Sequence, residues 1–180
     1  TNGFKYIEMS TPLDWELTTC KQEDLEEFKL FYGGKTDGLM LEALNLSPQS
    51  YTVQNLSDIY QRNGLKRERN LYSLKKDKIL KAIIMVNITD NGINLSELTN
   101  SITIYIIDSF ELPFSILNSI ISFISNKTNM GKTPVLIYPT EYMAKEQVDY
   151  ERIYNLWILN TNNTDDYFRY LKRLLKFIQY

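Results

Sequence analysis

The chain has no histidine and a single cysteine, so any acid or base chemistry falls to Asp, Glu, Lys, Tyr or a water they orient. Ser-His-Asp triads and most zinc sites are thereby excluded, and no metal cofactor is expected. Cys20 closes the alternating stretch "WELTTC" and, with no imidazole to serve as its base, reads as a packed small residue rather than a nucleophile. One stretch has the form of an anion site. "IYIIDSFELPFS" (104–115) runs from an apolar strand through a polar break into a helix, where backbone N–H groups and the helix field can hold a phosphate. It contains no glycine.

The elements that position this stretch follow from the apolar periodicity. "WELTTC" alternates as a strand, and Thr19 with Gln22 has the spacing of a capping box that opens a helix. That helix carries Leu25, Phe28, Phe31 and Tyr32 on one face, and Gly33-Gly34 is expected to end it. A short helix is expected in 38–46, ahead of Pro48, and another through Val53, Leu56, Ile59 and Tyr60 to Gly64. The period then changes from 3.6 to 2. Strands over 69–77 and 78–90, joined by a turn at Lys76-Asp77, are followed by the Asp90-Asn91-Gly92 turn and a strand over 101–108. The second of these strands is too apolar to lie at an edge. Pro113 opens the next helix, with Phe114, Leu117, Ile121 and Ile124 repeating; strands are expected at 134–138 and 154–160, and Asp165 starts a last helix.

The sum is one domain over residues 1–180 with an α/β (α+β) fold: a mixed, largely antiparallel central sheet flanked by helices. A chain of 180 residues with 43% hydrophobic and 23% charged composition can bury a core and is not disordered. The net charge of −2 makes no field for nucleic acid. Lys66, Arg67, Arg69, Lys75, Lys76 and Lys78 are interrupted by Glu68 and Asp77 and read as the solvated face of a hairpin. No apolar run approaches the roughly 20 residues of a membrane span, and a cytoplasmic location is expected. The basic face of the last helix, with Arg169, Lys172, Arg173 and Lys176, is expected to back a helix packed on the sheet rather than one lying on a membrane. The chain starts without Met, which suits a piece of a longer polypeptide with fused or partner domains.

From about Trp15 to Asn160 this order resembles the GCN5-related N-acetyltransferase (GNAT) family. Its most characteristic piece is "NLSELTNSITIYIID" (94–108), similar to the approach to and passage of that family's central strand. The resemblance implies an N-acyltransferase that takes acetyl-CoA or another acyl-CoA beside Ile106, Ile107, Asp108 and Ser109, and a small-molecule or protein amine as acceptor. It implies a carboxylate base, by position Glu97, and a tyrosine acid, Tyr142 first and Tyr150 second. The family's glycine-rich pyrophosphate loop is degenerate here, where the matching residues are Asp108, Ser109, Phe110, Glu111, Leu112 and Pro113. Pro113 has no N–H to offer. Each carboxylate about 4 Å from a phosphate charge would repel it by about 4 kcal/mol at an effective dielectric near 20. That is half of the roughly 8 kcal/mol of a micromolar affinity. Two functions therefore stand: an N-acyltransferase, or a non-catalytic GNAT-like binding or regulatory module that has lost coenzyme A. Under the second, Asp108 or Ser109 caps the helix and Glu111 sits in its first-turn field.

Overall fold

The computed structural model describes residues 14–36, 39–44, 46, 60–90, 100–107, 111–128 and 133–153. The expected strand at 154–160 and the last helix, with its basic face, lie outside them.

Among the described residues five strands, β1 (Trp15–Thr19), β2 (Arg67–Lys76), β3 (Ile79–Thr89), β4 (Ser101–Ile106) and β5 (Val135–Tyr138), form one sheet in the order β1-β2-β3-β4-β5. The first three pairings are antiparallel and the last, β4 with β5, is parallel. Helices α1 (Gln22–Thr36) and α2 (Leu39–Ala43) lie between β1 and β2, α3 (Phe114–Thr128) crosses from β4 to β5, and α4 (Glu141–Lys145) follows β5. This is the mixed, largely antiparallel sheet with helices expected of the sequence.

Period-2 alternation in β3 sends its residues to two cores. Ala82, Ile84 and Val86 pack with Ile102, Ile104 and Ile106 of β4 under Leu117, Ile120 and Ile124 of α3. Leu80, Ile83 and Met85 pack on the other face with Leu25, Phe28 and Tyr32 of α1 and Met40 and Leu41 of α2. The central place of β3 explains its apolar run. Its hairpin with β2 turns at Asp77 and Lys78, both left-handed at φ 50° and 67°, as a two-residue turn of the primed type demands. One irregularity interrupts the ladder: Leu74 faces Ala82 while Lys75 faces Leu80, so Lys81 has no residue opposite it on β2. Bulges of this kind re-aim a side chain.

Two helix boundaries differ from expectation. The box at the start of α1 is formed two residues later than Thr19 and Gln22 suggest, by the Lys21 N–H donating to Asp24 Oδ2 at 2.9 Å. Asp24 wins because it is buried and held from outside the helix as well. Ser73 Oγ donates to it at 2.7 Å and Lys75 Nζ lies 2.6 Å away. Burial alone would raise the Asp24 carboxyl, but the donors from Lys75, Ser73 and Lys21 outweigh it and hold it below its ordinary value. Beside them, burial pushes the Cys20 thiol up to about 11, which leaves it protonated and inert. At its other end, α1 runs through Gly33-Gly34 to Thr36. Two helical glycines cost about 2 kcal/mol together, which the burial of Leu25, Phe28 and Tyr32 offsets. Gly64 does stop its helical turn: at φ 69° it lets Leu65 N–H reach Tyr60 O and its own N–H reach Gln61 O.

Candidate functional site

The junction between β4 and α3 is where the sequence places its anion site, and it is built from β4 outward. Successive strand residues present their backbone groups to opposite neighbours. Ile107 therefore turns to β3, donating to Lys81 O at 2.8 Å, while Ile106 turns the other way. The Ile106 carbonyl accepts a buried hydrogen bond of 2.6 Å from Tyr32 Oη, reaching over from α1. Tyr32 is packed against Phe28, Phe31 and Tyr138. Burial first, with Tyr138 and Tyr105 adding to it, drives its phenol well above the ordinary value, so it serves as a donor.

Beyond the strand, Asp108 and Ser109 lie outside the described residues. Glu111 is exposed at the loop and pairs with Lys81 Nζ, whose side chain is only 6% exposed. Leu112 is buried, and its carbonyl accepts a 3.0 Å hydrogen bond from Tyr142 Oη. Pro113 accepts from Ile116 and Leu117 through its carbonyl, which makes it the N-cap rather than a first-turn residue. The first free N–H of α3 is then that of Phe114. It donates to Glu146 Oε2 at 3.0 Å, a carboxylate delivered from just past α4.

Of the residues singled out from sequence, Ile106 and Tyr142 come together in one core under α3, whereas Ile107, just past β4, packs against the core on the other face of the sheet. Tyr142 is fully buried and its hydroxyl is directed at Leu112. Burial, and then Glu146, raises its phenol well above the ordinary value. Tyr150 is 57% exposed, beyond α4. Glu97 lies outside the described residues. Three residues of the junction were not among the site candidates of the sequence reading: Tyr32, which it placed only on the apolar face of α1, Lys81 and Glu146. Lys81 alone had a usable sign, as the one charge inside "ILKAIIMV".

A diphosphate at the start of α3 requires free N–H donors and an uncompensated positive field. Among the described residues, Pro113 has no donor, Phe114 has given its own to a carboxylate, and Lys81 is paired with Glu111. The residues at 111–114 do not fit that group. No cluster of three or more metal-ligating side chains occurs among the described residues, and no helix there is long and apolar enough to cross a membrane.

Basic residues of the hairpin are engaged locally. Lys66 lies 3.4 Å from Glu68, Arg67 donates to Tyr60 Oη, and Arg69 donates to Asn87 and to the Leu44 carbonyl. Lys76 sits over the Trp15 ring.

No protein-family model matches this chain, and no curated protein matches it in sequence. A solved structure described as that of a possible acetyltransferase from Clostridium difficile 630 is similar over 82% of this chain and 97% of its own. The identity is 15% and the TM-score 0.35, too loose a likeness to weigh on function.

Proposed function

We propose that this chain is a non-catalytic GNAT-like module, a cytoplasmic binding or regulatory domain whose coenzyme seat is filled by its own side chains. One observation carries the reading: Glu146 already sits on the Phe114 N–H, the place where a phosphate would meet the N-terminus of α3. Tyr32 on the Ile106 carbonyl and Glu111 on Lys81 close the same junction from the strand and loop sides. A partner or fused domain would then be what the module serves.

The test is a thermal-shift titration with acetyl-CoA. A ligand at 100 times its dissociation constant adds about 2.7 kcal/mol. For a domain of this size that is a rise of roughly 5 to 10 °C. The expected result at millimolar acetyl-CoA is no rise, and a rise of that size would overturn the reading.

Lys81 gives a specific reason to keep the N-acyltransferase as the second reading, since it places a cation at the end of β4. In that case Glu97 would be the base, Tyr150 the tyrosine open to solvent and Tyr142 the buried one. Replacing Glu111 with Gln would then strengthen the response to acetyl-CoA, by removing a repelling charge and releasing Lys81.

A further inference from the structure

The β4–α3 junction is tied to α4 at two points that bracket Pro113. Tyr142 Oη reaches the carbonyl before that proline and Glu146 Oε2 reaches the N–H after it, both at 3.0 Å. The contacts span 30 and 32 residues of chain. α4 is only five residues long, too short to hold its shape alone. It closes with Val148 N–H on Met143 O and Gln147 N–H on Ala144 O, a motif that places Gln147 in the left-handed region at φ 52°. A residue with a Cβ is disfavoured there, so the contacts of Glu146, Tyr142 and Met143 and the closing hydrogen bonds offset a strained backbone.

We propose that α4 is an intramolecular latch: Glu146 and Tyr142 hold the β4–α3 junction shut, and α4 and the first turn of α3 open and close as one unit. This deepens the reading of a self-filled junction and rests on it. Local openings occur in cooperative units, and a one-turn element anchored chiefly by one buried side chain, here Tyr142, opens together with what that side chain packs on. Leu112 and Tyr142 lie in one core, so α4 cannot leave without uncovering the segment around Pro113. Opening would expose the Leu112 carbonyl and the Phe114 N–H together.

Hydrogen exchange on the full chain tests this with wild type, E146A, which removes the acceptor, and E146Q, which keeps an acceptor oxygen without the charge. Peptides over 111–118 and over 140–148 should exchange faster together, by about tenfold in E146A and less in E146Q. Acceleration confined to 140–148, or no acceleration in either, would overturn the latch. Should E146A unfold as a whole, E146Q decides by the same pattern. Millimolar acetyl-CoA added to wild type separates the two readings. Slowed exchange at 105–114 would sink the self-filled junction, while the variants' rates still decide whether α4 and α3 move together.

Discussion

Two of the described helices begin on a carboxylate, and they obtain it in opposite ways. α1 takes Asp24 from its own first turn, three residues past the N–H it serves, and Asp24 also binds Ser73 and Lys75. α3 takes Glu146 from past the next strand, and among the described residues the Phe114 N–H is the hydrogen bond that carboxylate has outside its own segment. The physics is the same: a negative charge against the unsatisfied N–H groups and positive field of a helix start. The difference lies in redundancy and in sequence distance. The buried, threefold-held carboxylate is a structural rivet; Glu146, with one bond to α3 and an ion pair to its neighbour Lys145, can be released.

Removing the rivet should have the largest effect. Asp24→Ala leaves the Ser73 hydroxyl, the Lys75 ammonium and the Lys21 N–H without their acceptor and should cost about 3 kcal/mol in denaturant unfolding at neutral pH. The pH sign follows from the lowered carboxyl. The unfolded chain takes up the proton first as pH falls, near the ordinary value of 3.8, so the stabilisation is complete above that pH and is lost as pH drops through the lower folded value. The deficit of Asp24→Asn relative to wild type should therefore shrink below about pH 4. A deficit unchanged in acid would mean that the charge of Asp24 contributes nothing.

Glu146→Ala comes next, at about 1 to 2 kcal/mol, the range of a lost helix cap. If it cost as much as Asp24→Ala, the contrast between rivet and latch would be gone. The smallest change sharpens the contrast from the other side. Gln147→Gly relieves a left-handed residue at the end of α4 and should stabilise by about 1 kcal/mol, read as a raised midpoint with unchanged denaturant slope. Its exchange protection should appear at 111–118 as well as at α4 if the latch is one unit.

The parts legible in the sequence are the local ones. The β2–β3 hairpin was expected over 69–77 and 78–90 and forms over 67–76 and 79–89, because alternation and a polar two-residue turn are properties of neighbours. The interior place of β3 and the capping by Gly64 follow for the same reason. Gly33-Gly34 misled because local propensity, at about 1 kcal/mol per glycine, yields to tertiary burial on the α1 face. The capping box misled by two residues because Ser73 and Lys75, distant in sequence, select Asp24.

By itself the sequence determined the order of the described elements, their faces, the absence of histidine chemistry and the shape of a strand entering a helix without glycine. These depend on residue types and on spacings of two to four residues. Only the tertiary structure decided what meets that helix. Glu146, Tyr142, Lys81 and Tyr32 reach the junction across 30 to 74 residues of chain. No periodicity records such a meeting, since a hydrogen bond depends on where the packed layers bring two atoms and not on how far apart they lie along the chain.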